Sequence, residues 1–308
     1  MDEVTVHAPA TVSNVVCGFD CLGFALSEPY DEMTVRKIEE RAVRIINHDE
    51  FGLPTDPAKN VAGVALQAML ESIGADFGFE LEITKRIKPG SGIGSSSASS
   101  CGAVFAANEL LDNKFSKLEL VDFAMEGEKL ASGEKHADNV APCIFGGFTL
   151  VRSIEPLDIV SLDFPPLFAT VIHPQIEIKT AEARAILPKD VPLKTAIRQW
   201  GNLGSLVAAL AQGNYELITR SMEDLIVEPV RKSLIPKFDE VKEASLEAGA
   251  LGGGISGSGP SMFMLSETRE TADSIEQAMI SVYTETGIEF NTYVSRIGPQ
   301  GVRIVGSA

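Results

Sequence analysis

With 308 residues the chain has room for about two domains and an ample core, and 44% hydrophobic with 22% charged residues is an ordinary globular balance. A net charge of −17 argues against nucleic-acid or anionic-membrane surfaces, so any phosphate site must be built locally from backbone dipoles, a metal ion and a few basic side chains. No secretory signal pattern and no apolar run of ~20 residues is present, which gives the expectation of a cytoplasmic protein.

Val4–Ala8 alternates like a strand and runs into Pro9-Ala10-Thr11-Val12-Ser13-Asn14. Asn14 and Asp20 stand among small and apolar residues, which suits turn chemistry as well as a site. Met33–Ile38 and Arg41–Ile46 predict a hairpin pair. Asn60 opens an apolar helix, Val61–Leu70, for which an N-cap role is sufficient. Phe79–Lys85 alternates strictly and delivers the chain into Pro89-Gly90-Ser91-Gly92-Ile93-Gly94-Ser95-Ser96-Ser97-Ala98-Ser99-Ser100.

In that stretch three glycines alternate with small residues before a helical run through Cys101–Ala107. Glycine lets backbone N–H groups converge and a ligand approach, and the unpaired N–H groups of a following helix face the same point. Such a loop binds an anion, most plausibly phosphate, and its serine hydroxyls suit a hydrated Mg²⁺. It is not a Walker A loop, because no lysine stands between Pro89 and Lys114.

Ser116 and Glu119 form a capping box for a helix with Leu118, Val121 and Met125 on one face, which carries Glu126 and Glu128 toward Gly133. A helical glutamate is most often solvated surface. His136-Ala137-Asp138-Asn139-Val140-Ala141-Pro142 packs imidazole, carboxylate and carboxamide just before an apolar, glycine-rich run; this suits a site or a turn with a satisfied histidine. Glu155–Pro166 holds three prolines and no helical period, and the domain boundary is placed there, giving 1–165 and 166–308. Beyond it come a strand, Phe168–His173, a helix with Thr180 and Arg184, and helices over about Thr195–Gln212, from Asn214 through Leu225 toward Arg231, and Pro236–Glu247. The strand Ser261–Leu265, a helix from Thr268 to about Tyr283 and the strand Phe290–Val294 complete an α+β, split βαβ pattern. Gly252–Gly257 matches G-x-G-x-x-G, but a helix precedes it and Pro260 with a β-like run follows. A second glycine loop facing the first fits better than a dinucleotide fingerprint. Cys17, Cys21, Cys101 and Cys143 lack C-x-x-C spacing and read as reduced, partly buried thiols.

Four of these motifs together resemble the GHMP small-molecule kinases, and in detail their homoserine kinase branch: Pro9–Gly23 with Asn14 and Gly18-Phe19-Asp20, the Pro89–Ala98 loop, His136–Pro142, and Gly252–Ser261. The resemblance implies an N-terminal domain of the ribosomal protein S5 domain 2 type with a left-handed crossover, a ferredoxin-like C-terminal domain, and transfer of the ATP γ-phosphoryl to the hydroxyl of L-homoserine. It places Ser96 and Glu128 on Mg²⁺, and Pro89, Gly90, Ser91, Gly92, Ile93, Gly94, Ser95, Ser96 and Ser97 around the triphosphate. Asn60 lies at the nucleoside and Lys85 near the phosphates. Asn14, Asp20, His136, Asp138, Asn139, Thr180, Arg184, Arg231 and Gly257 line the amino-acid pocket, where Arg184 and Arg231 suit a carboxylate and Asp20 an ammonium. Asn139 stands where mevalonate-type relatives carry an aspartate; a carboxamide cannot act as a base, so no catalytic base is assigned and Asn139 is expected to orient the acceptor. Nucleic-acid and membrane partners are not implied; a homodimer is one assembly the resemblance allows.

Overall fold

The computed structural model describes residues 2–307, with the side chains of Thr180 and Ala181 outside that description. Strand β1 (Glu3–Val15) continues through Pro9 instead of stopping there, with a register shift between Pro9 and Thr11, where proline costs the ladder least. It turns directly into β2 (Gly18–Ile38), a strand of 21 residues. Asn14, Val16 and Asp20 cluster at the hairpin tip with φ of 57°, 48° and 58°, so the tip is a tight, partly left-handed structure.

The expected hairpin between Met33–Ile38 and Arg41–Ile46 does not form. The second segment is β3 (Val43–His48), and β4 (Gly78–Thr84) inserts between it and β2, antiparallel to β2 and parallel to β3. The intervening α1 (Val61–Ser72) makes β3–α1–β4 a parallel crossover, which periodicity alone does not distinguish from a hairpin. α2 (Ser95–Leu110), α3 (Lys117–Ser132) and α4 (Val140–Phe145) follow, then the hairpin β5 (Phe148–Ile154) and β6 (Leu157–Leu162) on the same sheet. α2 begins at the serines themselves, which form its first turns. Its residues from Ala98 to Val104 are buried, since it lies between the sheet and the other helices.

The second unit holds β7 (Phe168–Pro174), α5 (Thr180–Ala185), α6 (Leu193–Gln212), α7 (Tyr215–Ser221), α8 (Glu228–Arg231) and α9 (Phe238–Glu247). It continues with β8 (Gly252–Ile255), β9 (Met262–Ser266), α10 (Arg269–Thr284) and β10 (Phe290–Arg296). Its antiparallel order β10-β7-β9-β8 is that of a ferredoxin-like sheet. The expected helix from Asn214 toward Arg231 is broken in two. Asp224 accepts hydrogen bonds from the Ile226, Val227 and Glu228 backbones and starts α8 afresh. β9 alternates between two cores. Met262 and Met264 pack with Ile275, Met279 and Tyr283, while Phe263 meets Phe24 of the first sheet edge-on at 5.6 Å. The chain's last strand, β11 (Arg303–Ser307), then returns to pair with β1, so the segment after residue 165 rejoins the first sheet.

Candidate active site

A cavity of about 370 Å³ opens where the two units meet. One wall is the glycine loop and the start of α2. Gly90, Gly92 and Gly94 have φ of 75°, 82° and 70°. At Gly94 a Cβ would fall 2.0 Å from Thr11 Oγ1, so only glycine fits both the conformation and the space. α2 has no side-chain cap at its N-terminus, which leaves its first N–H groups and positive dipole end facing the cavity. The second glycine segment buttresses the loop: Ser256 Oγ donates to Gly92 O at 2.8 Å and Ser261 Oγ to Ser91 O at 2.6 Å.

Glu128 sits against this helix start. It lies seven residues after Val121 and three after Met125 on the buried face of α3, whereas Glu126 pairs with Lys135 at 2.7 Å on the surface and Leu118 is exposed. Burial pushes the Glu128 carboxyl up to about 7, although hydrogen bonds from Ser96 and Ser97 (Oγ to Oε1 3.0 Å) favour its anion.

The other wall carries the ionic groups. Arg184 donates from Nη2 to Asp20 Oδ1 at 3.1 Å and from Nη1 to Oδ2 at 3.2 Å, and its Nη2 lies 3.4 Å from His136 Nε2. Arg231 is buried, donates to Ala183 O at 2.9 Å and Gly257 O at 3.4 Å, and burial holds its guanidinium below the usual range. Asn14 ties the hairpin tip to the second unit, with Nδ2 donating to Gly257 O at 2.8 Å and Oδ1 accepting from Asp20 N at 2.7 Å. Asn139 is fixed at both ends of its amide, accepting from Thr11 Oγ1 at 2.7 Å and donating to Ser13 Oγ at 2.8 Å. Burial and the charge of Asp20 hold the Asp138 carboxyl above the ordinary carboxylate range.

Residues 60–147 match the GHMP kinases N terminal domain, and residues 206–285 match the GHMP kinases C terminal domain. The crystal structure of a homoserine kinase from Cytophaga hutchinsonii is 51% identical, covers 99% of this chain and 98% of its own, and superposes with a TM-score of 0.95. The chain belongs to the homoserine kinases of the GHMP family. The homoserine kinases of Chlorobium phaeobacteroides and Pyrococcus abyssi are 46% and 39% identical, over 99% and 95% of this chain and 100% and 97% of theirs. A mevalonate kinase from L. major, at 17% identity and a TM-score of 0.72 over 94% of each chain, shares the fold.

Most of the residues that the GHMP resemblance singled out line the one cavity, from Asn14 and Asp20 through the loop to Arg184, Arg231 and Gly257. Others stand behind it. Asn60 is the buried N-cap of α1, accepting from Ala62 N at 3.0 Å and donating to Pro54 O at 2.8 Å. Ser91, Ile93 and Ser97 are buried beneath the loop; Ser95 lines the cavity, but its Oγ donates away from it to Ile87 O at 2.8 Å. The Thr180 side chain lies outside the described residues. Lys85 reaches the cavity, but its Nζ donates to Asp31, to Ser95 O at 2.6 Å and to Ser99 Oγ at 2.8 Å. Asp31 is absent from the sequence-based set, and Phe19 enters it only as part of the Gly18-Phe19-Asp20 motif, with no role. Asp31 is fully buried and also accepts from Arg86 N and Ile87 N, and the Phe19 ring faces both arginines, with Cζ of Arg231 at 4.9 Å and of Arg184 at 5.8 Å. Asp31 had a signal: it precedes Met33 and Val35 at the inward spacing of β2.

Proposed function

We propose that this chain transfers the γ-phosphoryl group of ATP to the side-chain hydroxyl of L-homoserine, giving O-phospho-L-homoserine for threonine synthesis. The observation that carries this reading is the joining, in one cavity, of an uncapped helix start and a zwitterion-sized set of opposite charges. The loop backbone from Gly90 to Ser96 receives the triphosphate. Leu53 and Val61 offer apolar wall to the nucleoside. At the other wall Arg184 and Arg231 hold the amino-acid carboxylate and Asp20 its ammonium, so Arg184 and Asp20 exchange part of their mutual pairing for the substrate's two charges.

The donors beside the loop fit Mg²⁺. Glu128 supplies a carboxylate and Ser96 a hydroxyl, both hard oxygen ligands. Two protein oxygens would leave the remaining places to phosphate oxygens and water, as this ion prefers. A buried carboxyl pushed up to about 7 is also a group whose anion a cation would stabilise. Bound there, Mg²⁺ supplies charge neutralisation for the triphosphate. Asn139, immobilised by Thr11 and Ser13, orients the acceptor hydroxyl but takes no proton; a loose phosphoryl-transfer transition state needs little base assistance.

The reading takes the enzyme as cytoplasmic and allows a homodimer. ADP release measured with L-homoserine, R-mevalonate and galactose as acceptors tests it. Turnover that depends on L-homoserine is expected; faster turnover with either of the other two would overturn the assignment.

A further inference from the structure

The middle residue of Gly18-Phe19-Asp20 has no task in the phosphotransfer reading. Phe19 does not line the cavity of about 370 Å³. Its ring borders a second space of about 10 Å³, with Asn14, Arg231 and Gly257 among the other walls, room for one water and not for a substrate. From there the ring meets both cations of the ionic wall. Cζ of Arg231 stands 4.9 Å from the ring centroid and Cζ of Arg184 5.8 Å, both inside the ~6 Å reach of a cation–π contact.

The hairpin tip holds the ring from both sides. Cys17 O accepts from Gln199 Nε2 at 3.3 Å, and Cys17 Sγ donates to Ser221 O at 3.5 Å. Asp20 N donates to Asn14 Oδ1 at 2.7 Å. Asn14 Nδ2 in turn donates at 2.8 Å to Gly257 O, the carbonyl that Arg231 Nη1 also reaches at 3.4 Å. Ring and guanidinium are thus tied to one backbone oxygen by separate routes.

The two arginines have need of a shared partner. Arg231 is 3% exposed, and among the described residues no ion pair joins it to a carboxylate; backbone carbonyls of Ala183 and Gly257 receive its donors. Burial lowers the hold of this guanidinium on its proton, and the charge of Arg184 works the same way against the opposing charge of Asp20. Arg184 is drawn off in another direction by Asp20, through both of its terminal nitrogens. Like charges in this position move apart unless something attracts both. The face of an aromatic ring does so and, unlike a carboxylate, carries no net charge to compete with a bound anion.

We propose that Phe19 is a positioning residue for the acceptor's carboxylate: its ring holds Arg184 and Arg231 together as a two-armed clamp before the amino acid arrives, without neutralising either. The proposal rests on the reading of L-homoserine as acceptor and of this wall as its carboxylate pocket. The gain is preorganisation. Without the ring the guanidiniums separate in the empty site, and binding has to bring them back. The loss falls on KM for L-homoserine and leaves KM for ATP where it was.

Replacing Phe19 by mono-, di- and trifluorinated phenylalanines tests this, because successive fluorines drain negative charge from the ring face while its shape stays nearly constant. KM for L-homoserine is expected to climb stepwise along the series to about ten-fold, the equivalent of ~1.4 kcal/mol, with KM for ATP and Tm unchanged. Phe19→Leu, which keeps apolar bulk and lacks the ring, is expected to raise KM for L-homoserine at least as far. A KM for L-homoserine that stays flat across the fluorinated series, in an enzyme that turns over L-homoserine, would overturn the role of the ring and leave Phe19 as packing of the hairpin tip. A parallel rise of both KM values would do the same. Absence of L-homoserine-dependent turnover in the unsubstituted chain would instead remove the acceptor reading, and this proposal with it.

Discussion

Replacing Glu128 by glutamine separates what this carboxyl does for catalysis from what it costs the fold. In the folded protein burial pushes it from 4.5 up to about 7. The folded state therefore holds a proton that the unfolded chain has released between those values, and stability falls as pH rises through that window. At 1.36 kcal/mol per pH unit the gap corresponds to ~3 kcal/mol, all of it lost by pH 8. Glutamine keeps the shape and carries no charge, so Glu128→Gln is expected to lie within ~1 kcal/mol of the wild type at pH 5 and to exceed it by up to ~3 kcal/mol at pH 8. For domains of 150–250 residues this is on the order of 5–10 °C in Tm. Activity moves the opposite way: with the carboxylate proposed to hold Mg²⁺ gone, kcat is expected to fall by several kcal/mol of transition-state stabilisation. Differential scanning calorimetry without nucleotide from pH 5 to 8, beside kcat at saturating Mg²⁺, reads both effects. A Tm difference that does not grow with pH would refute the buried, proton-holding state. Near-wild-type kcat would refute the metal role.

The remaining expectations concern the other walls of the cavity. Arg184→Ala and Arg231→Ala should each raise KM for L-homoserine far more than KM for ATP, by roughly 2–5 kcal/mol of charge-paired binding, and a selective loss of ATP affinity would move that arginine out of the carboxylate pocket. Lys85→Met strands Asp31 as a buried, unpaired carboxylate and should cost roughly 3–5 kcal/mol of stability; an unchanged Tm with raised KM for ATP would instead make Lys85 a phosphate ligand. Asn139→Asp should give no gain in kcat and no new acidic limb in the pH–rate profile, and a limb near pH 6–7 abolished by His136→Asn with substrate binding intact would identify a base.

The lining of the candidate cavity is more legible in the sequence than the pairing of the sheet. Gly90, Gly92 and Gly94 followed by serines, and His136-Ala137-Asp138-Asn139, are local chemistry, and the chain brings both to one cavity. The error over β3 has the opposite origin. Val43–His48 alternates as any half-buried strand does, and its partner is decided by α1, which carries the chain away and returns it through β4. Strand pairing at that range is a tertiary outcome that period-two alternation does not encode. Glu128 lies between these cases. As a helical glutamate it looks solvated, yet its spacing from Val121 and Met125 places it on the buried face, whereas Glu126 points outward. Lys85 shows a different limit: nothing in its place before the glycine loop points to its pairing with Asp31, 54 positions away.

Charge is also what makes the cavity unusual as a place for a nucleotide. Its cations are largely committed within the protein: Lys85 to Asp31 and the first turn of α2, Arg184 to Asp20. Arg231 is buried on backbone carbonyls, and Glu128 and Asp138 add acid to the same walls. In a chain of net charge −17, side chains therefore supply little attraction for a triphosphate. The attraction falls to the convergent N–H groups of the loop, the dipole end of α2 and the metal ion proposed beside Glu128. Those N–H groups point correctly only while the loop keeps its left-handed glycines, and the loop is held from behind by Ser256 and Ser261 of the second unit. The same second unit holds Arg184 and Arg231, at the end proposed for the acceptor. The proposed phosphate cradle and the proposed acceptor pocket thus depend on one docking of the two halves, which would keep the reacting groups in register in a site with so few free charges.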